Sequence, residues 1–172
     1  LLDSCPVIES LGRSFPVDVR YLDRPPGERI EATMAGAIEK IHRSESGSIL
    51  AFLPGQGEIR KVAERLEGRL GASTDVQPLF SGLSSQEQDA AIRPADEGRR
   101  KVVLATPVAE SSITIDGVTI VIDSGLVRQP VYEPSTGITR LETIRASQAS
   151  IDQRAGRSGR TAPGIALRLW RA

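Results

Sequence analysis

The stretch QRAGRSGR, residues 153–160, holds three arginines and two glycines in eight positions. If it forms a helix with about 100° per residue, Gln153, Arg157 and Arg160 stand at i, i+4 and i+7 on one face, and Arg154 points elsewhere. Each glycine costs such a helix about 1 kcal/mol relative to alanine, and close approach of the backbone to another body would explain that cost. Guanidinium donors suit anionic oxygens. The pattern therefore predicts an anion-binding surface, with a solvated helix end as the alternative.

A second candidate is the loop TPVAESSITIDG, residues 106–117. It is rich in hydroxyls (Thr106, Ser111, Ser112, Thr114) and carries two acids (Glu110, Asp116). Hydroxyls and free N–H groups on such a loop suit phosphate oxygens, and a nearby acid suits a ribose hydroxyl. The alternative is that serine and threonine occupy this loop because they bond their own backbone.

The elements that must position these residues alternate between strands and helices. Apolar runs predict strands at 17–22, 48–54, 76–80, 101–105, 118–123 and 164–170. Helical patterns lie between them: one ends near His42, one follows Gly55, one runs from about Ser85 to Ile92, and one carries the arginine octet. The runs at 101–105 and 118–123 are apolar on both faces, as central parallel strands are. We expect a doubly wound α/β domain with a mainly parallel sheet flanked by helices, and function at the carboxyl ends of its strands.

The segment 128–144 differs from the rest of the chain. Two alternating segments flank PSTG, which predicts a β-hairpin with polar faces that stands away from the sheet.

Composition narrows the function classes. Lys+Arg and Asp+Glu both total 22, so any nucleic-acid contact must come from local clusters. Cys5 and His42 are the only residues of their types, which excludes an internal disulfide and a Cys/His metal site. We find no apolar run near 18 residues, so no membrane partner and a cytoplasmic location are expected. The chain begins at Leu1 and reads as a fragment of a longer protein.

Four ordered segments carry a family resemblance. Residues 101–125 (KVVLATPVAESSITIDGVTIVIDSG), followed after the hairpin by the octet, resemble motifs V and VI of the DEAH/RHA group of superfamily 2 helicases. SILAFLPGQGEI (48–59) resembles motif IV, and PLFSGLSSQEQ (78–88) the segment between motifs IV and V. ESLGRSFPVDVRYLDRP (9–25) further resembles the bacterial HrpB-type members.

The resemblance implies the second RecA-like lobe of an ATP-dependent RNA helicase, with residues 1–172 as one lobe and 1–16 as the lead-in from a preceding lobe. In the family, ATP lies between two such lobes, so the partner would be an N-terminal RecA-like lobe of the same parent chain. The sequence holds no G-x-x-x-x-G-K-[ST] and no DExH segment. A lobe outside this sequence would therefore hold Mg²⁺ and most of the ATP, and the isolated chain is expected to be inactive.

The resemblance also assigns nucleotide roles. Gln153 would position the attacking water, while Arg157 and Arg160 would reach the γ-phosphate, Arg160 as the arginine finger. Ser112 would sense that phosphate. Thr114 and Asp116 fall near the nucleotide sugar, and Ile92 near the base. Many eukaryotic members have Phe where this chain has Ile92, so ring stacking is lost and loose selectivity among NTPs is expected.

The same resemblance assigns an RNA track. Thr106 would contact the RNA backbone, and Pro107, Ser81 and Gly55 occupy the other positions assigned to nucleic acid. Such contacts are sequence-tolerant. The family usually has Asn at the position of Pro107, so a side-chain amide and a backbone N–H are absent here. The hairpin at 128–144 would abut the duplex where its strands separate.

Two alternatives remain open. One is a nucleic-acid or protein-interaction module that keeps the fold without catalysis; Pro107 favours it, and the joint presence of Gln153, Arg157 and Arg160 disfavours it. The other is the motor lobe of a DNA translocase, because DNA and RNA tracks share phosphate contacts.

Overall fold

The structure, a computed structural model, describes residues 15–110, 115–135 and 137–172. Within these ranges eight strands and four α-helices follow one another. They are β1 (Val17–Tyr21), α1 (Ile30–Ser44), β2 (Ser48–Phe52), α2 (Gln56–Leu66), β3 (Thr74–Leu79), α3 (Ser85–Ile92), β4 (Arg100–Ala105), β5 (Val118–Asp123), β6 (Leu126–Glu133), β7 (Ile138–Arg145), α4 (Gln148–Ala155) and β8 (Gly164–Arg168). A short 3₁₀ turn, Pro107–Ala109, follows β4.

Six strands form one sheet in the order β1-β8-β5-β2-β4-β3, and every pair in it is parallel. The strands β5, β2 and β4 lie in the middle, and β2 is buried at all its positions. This confirms the prediction that 101–105 and 118–123 are central strands. Their apolar sequences follow from burial on both faces.

Alternate side chains of each strand enter two different cores. Ile49 and Val102 belong to the core under α1 and α2, whereas Phe52 and Val103 belong to the core under α3 and the loop after β4. Helix α4 lies on this second face, since the guanidinium of its Arg154 sits 5.2 Å from the centre of the Phe52 ring. Helices on both faces confirm the doubly wound architecture.

The hairpin forms a separate two-stranded antiparallel sheet, β6–β7, paired from Leu126 with Arg145 to Glu133 with Ile138. This confirms the predicted hairpin, with longer strands than 128–144. All eight residues of β7 are exposed, so the hairpin protrudes. The prediction of polar faces was wrong: Tyr132 and Leu141 are 61% and 69% exposed, among several apolar side chains facing solvent.

The predicted helix over the arginine octet is only partly present. Helix α4 ends at Ala155, so Arg157 and Arg160 lie beyond it and the i, i+4, i+7 stripe was wrong. After Ala155 the backbone tightens to i→i−3 bonds, with Arg157 N donating to Arg154 O at 3.0 Å. Tight turns of this kind commonly end helices, and Gly156 is the C-cap of α4.

None of the helices within the described ranges is both long enough and apolar enough to cross a bilayer.

Candidate nucleotide-facing site

Residues 156–160, here called the arginine turn, pack on the segment that leads into β1. A Cβ atom at Gly159 would lie 2.7 Å from the carbonyl oxygen of Phe15, and Phe15 N donates to Gly159 O at 2.9 Å. Only glycine permits this contact without displacing the backbone. The close approach predicted from the glycines therefore exists at Gly159, but the second body is the protein's own chain.

Arg154 is the buried centre of the site, with 1% of its side chain exposed. Its Nε donates to the carboxylate of Glu110 at 3.0 Å, and its Nη1 donates to Oδ1 of Asp123, also at 3.0 Å. The guanidinium also lies against the Phe52 ring. A single side chain of α4 thus joins the ends of β2 and β5 and the loop after β4.

Asp123 is the second buried charge. Burial raises the pKa of its carboxyl, while the charge of Arg154 and the Gly125 N–H, which donates at 2.8 Å, oppose the shift. A buried ion pair of this kind gains little over apolar packing, but the loss of one partner leaves an uncompensated charge. The pair therefore fixes geometry at the end of β5.

The carboxylate of Glu110 is hydrogen-bonded within the protein. Its carboxylate accepts from Ser150 Oγ at 2.6 Å and from Arg154 Nε at 3.0 Å. Its position follows from the 3₁₀ turn, in which Glu110 N donates to Pro107 O at 2.8 Å. Of the two acids on this loop, Glu110 thus neutralises a buried arginine.

Arg157 faces the loop after β4. Its Nε donates to the main-chain carbonyl of Glu110 at 2.8 Å, and its Nη2 donates to the same oxygen. Burial lowers the pKa of Arg157 and the charge of Arg160 lowers it further, against the effect of Glu110. Arginine remains charged at neutral pH despite such shifts. The two arginines of the turn are therefore close enough to concentrate positive charge.

Gln153 and Arg160 flank this buried arrangement and are exposed. Gln153 lies in the last turn of α4, and Arg160 ends the arginine turn. The structure thus brings the three predicted catalytic residues into one short segment, with Arg157 turned inward and the other two outward. An exposed guanidinium beside a buried one can bind a phosphate group.

The remaining nucleotide candidates are only partly described. Ser112 and Thr114 lie outside the described residues. Asp116 is exposed two residues before β5, and Gly117 O accepts a hydrogen bond from Ser48 N, so this segment lies at the amino edge of the sheet. Ile92 is half-buried at the end of α3. Asp116 and Ile92 thus lie on different elements from the arginine turn.

The RNA candidates gather at the carboxyl edge of the sheet. Gly55, Ser81 and Thr106 follow β2, β3 and β4, which are neighbours aligned at Phe52, Leu79 and Ala105. Thr106 N donates to Leu79 O at 3.1 Å, and Pro107 begins the 3₁₀ turn. A Cβ at Gly55 would lie 2.9 Å from Nη1 of Arg128. These positions thus lie at the edge of the sheet where the sequence predicted function. The arginine turn, beside the segment entering β1, lies toward the amino ends.

Sequence reasoning missed Asp123 and Ser150, and it set Arg154 aside. One signal was present, because Asp123 ends an apolar run predicted to be a central strand. A buried acid needs a cation or donors, and the octet offers the cation. The hydroxyl of Ser150 has no comparable signature.

Within the described ranges there is no group of three or more His, Cys, Asp or Glu residues that could hold a metal ion.

Comparisons with known proteins agree with this architecture. The family model "Helicase conserved C-terminal domain" matches residues 32–162. A crystal structure of the Escherichia coli DEAH/RHA helicase HrpB superposes with a TM-score of 0.90 at 50% identity, covering 98% of this chain and 22% of that chain. The fold is therefore RecA-like.

Three curated relatives match nearly the whole chain. It is 50% identical to the ATP-dependent RNA helicase HrpB of Escherichia coli (strain K12), over 98% of this chain and 21% of the relative. It is 42% identical to the pre-mRNA-splicing factor ATP-dependent RNA helicase prp22 of Schizosaccharomyces pombe, over 96% of this chain and 15% of the relative. The probable ATP-dependent RNA helicase DHX35 of Homo sapiens is 41% identical, over 98% and 25%.

These matches define the class of protein. The chain belongs to the helicase conserved C-terminal domain family. The resemblance to the DEAH/RHA group, with HrpB among its members, is confirmed. The chain spans between 15% and 25% of the length of the curated relatives named here.

Proposed function

We propose that this chain is the second motor lobe of an ATP-dependent RNA helicase. It supplies the arginine finger Arg160, the second arginine Arg157, the water-positioning Gln153 and part of the RNA track. The partner is an N-terminal RecA-like lobe of the same parent chain, and the site of action is the cytoplasm. In this proposal residues 1–172 form one lobe, with 1–16 as the lead-in.

The observation that carries the proposal is the contact between Arg157 and the carbonyl of Glu110, with Arg160 exposed on the same turn. This contact joins the loop after β4, which carries proposed RNA contacts, to the arginine turn, which carries the proposed phosphate contacts. A change at one of these segments can therefore move the other.

The chemistry required is stabilisation of charge on a transferring phosphoryl group. Guanidinium donors match the spread negative charge of a loose phosphoryl transition state better than an ammonium does. An arginine finger contributes roughly 10³ to 10⁵ in rate. The N-terminal lobe of the parent chain would bring Mg²⁺ and the phosphate cradle. ATP is the proposed nucleotide, with other NTPs accepted because Ile92 offers no aromatic ring. Ser112, Thr114 and Asp116 keep their proposed places near the γ-phosphate and sugar.

The RNA track is proposed along the carboxyl edge, at Gly55, Ser81, Thr106 and Pro107. Phosphate contacts there would make binding sequence-tolerant and salt-dependent. The hairpin stands at the same end of the sheet, since it follows β5 directly, and would meet the duplex.

A non-catalytic binding module is the second candidate, and one observation favours it. Arg157 is only 5% exposed, as a structural arginine would be. Pro107 is neutral in this choice, because it begins a turn that positions Glu110.

The test compares the isolated chain with the full-length protein that contains it. The isolated chain should hydrolyse no ATP measurably and should bind ATP no tighter than about micromolar by calorimetry, because most phosphate donors lie elsewhere. The full-length protein should hydrolyse ATP and be stimulated by RNA. Turnover by the purified isolated chain would contradict the half-site proposal. A full-length protein that binds RNA but is inactive would favour the binding module. Equal stimulation by single-stranded DNA would favour the translocase.

A further inference from the structure

The carboxylate of Glu110 is held from one side by α4. Ser150 Oγ donates to Oε2 at 2.6 Å, and Arg154 Nε donates to the same oxygen at 3.0 Å. Both donors are on α4, one turn apart. The carboxylate therefore has little conformational freedom, and this also restrains the backbone of residue 110.

The main-chain carbonyl of Glu110 is held from the other side by the arginine turn. Two nitrogens of Arg157 donate to this single oxygen, Nε at 2.8 Å and Nη2. A guanidinium held through two nitrogens has a fixed plane. The orientation of Arg157 thus depends on where the Glu110 carbonyl points.

Arg154 ties this arrangement to the sheet. Its Nη1 donates to Asp123 Oδ1 at 3.0 Å and lies 3.4 Å from the carbonyl oxygen of Leu126. Asp123 is itself held by Gly125 N. Arg154 therefore fixes the Glu110 carboxylate relative to the end of β5, a central strand, and not relative to a loop.

We propose that Glu110, fixed by Arg154, is a positioning residue that sets the guanidinium of Arg157 for ATP hydrolysis. This inference rests on the function proposed above. Glu110 touches no phosphate in this account; its carboxylate aligns the peptide whose oxygen orients Arg157. Misplacing a catalytic group by about 1 Å can cost about a hundredfold in rate, so a residue with no substrate contact can matter for turnover.

The substitution Glu110→Ala tests this directly, because it removes the carboxylate and leaves the carbonyl that Arg157 uses. Steady-state RNA-stimulated ATP hydrolysis is measured in the full-length protein for wild type, Glu110→Ala, Arg157→Ala and the double variant. Glu64→Ala, an exposed acid on α2, is the matched control and should equal wild type. Glu110→Gln keeps an acceptor for Ser150 and Arg154 and should lose less activity than Glu110→Ala.

Glu110→Ala should lower kcat about 10- to 100-fold with little change in KM for ATP. The double variant should match Arg157→Ala within about threefold, because Glu110 acts through Arg157. Losses that multiply in the double variant would overturn the proposal and make Glu110 merely structural, as would wild-type kcat in Glu110→Ala. If Arg157→Ala alone retains full activity, the proposed function of Arg157 fails instead. Melting temperatures monitor folding, and if Glu110→Ala does not fold, Glu110→Gln takes its place in the same cycle.

Discussion

The arginine turn and the hairpin invert the usual distribution of side chains in opposite ways. At the arginine turn and the end of α4 that precedes it, charged groups are inside: Arg157 is 5% exposed and Arg154 is 1% exposed. On the hairpin, apolar groups are outside, with Tyr132, Ile138 and Leu141 each more than half exposed. Buried charges and exposed large apolar residues are both costly and informative.

This difference in burial indicates the kind of contact that each region is suited to make. In the arginine turn, Arg157 and Gly159 form hydrogen bonds within the domain, so the geometry of the turn is set before any ligand binds. The contacts between the hairpin and the rest of the domain lie at its base, where Leu126 packs against the core and Arg128 pairs with Glu58 at 3.0 Å. A preorganised turn suits electrostatic work on a phosphate, and an apolar protruding surface suits contact with another molecule.

The largest expected effect separates the two regions by stability. Arg154→Met should destabilise the isolated chain by about 3–5 kcal/mol, because Asp123 would remain buried and unpaired. Arg128→Met, which breaks the partly exposed pair with Glu58, should cost less, about 1 kcal/mol. Urea unfolding followed by circular dichroism measures both. Similar costs for the two variants would mean that the buried pair is not the stronger constraint.

A second effect should appear on the hairpin alone. Leu141→Ser combined with Tyr132→Ser should leave the melting temperature nearly unchanged, because exposed apolar side chains contribute little to folding. Strand separation by the full-length protein should fall about tenfold, the loss of roughly one stacking contact. Helicase and ATPase assays run in parallel separate the two activities. Intact strand separation would exclude the hairpin from duplex contact.

The smallest effect is expected at the carboxyl edge. Thr106→Val keeps the shape of the side chain and removes its hydroxyl, at a cost of about 0.5–1.5 kcal/mol in RNA binding. Fluorescence anisotropy with RNAs of different sequence should show about the same loss for each, as a backbone contact requires. A loss confined to particular sequences would point to a base contact instead.

The sequence predicted the sheet well because strand patterns report burial on both faces. The runs at 101–105 and 118–123 lie in β4 and β5, the two interior strands that flank β2, and the predicted helix Ser85–Ile92 has the observed bounds. The latter is fixed by a capping box between Ser84 and Glu87, a strong local signal.

The geometry of the site was less predictable, because periodicity assumes that the helix continues. The octet leaves the helix at Gly156, so the inferred stripe does not exist, although the residues it selected stay in one segment. The partner of Glu110 could not be predicted, because nothing in the sequence of the loop indicates that one of its acids pairs with a buried arginine 44 residues away. Such pairings become visible only when β4, β5 and α4 are assembled.

The central claim is that Arg160 stabilises the transition state of ATP hydrolysis. The most direct measurement is steady-state RNA-stimulated hydrolysis by the full-length protein, comparing wild type with Arg160→Ala and Arg160→Lys. RNA affinity is measured on the same preparations. The account predicts a fall in kcat of about a thousandfold or more for Arg160→Ala, poor rescue by lysine and unchanged RNA affinity. Unchanged turnover would contradict it and make the arginine turn a structural or RNA-facing element.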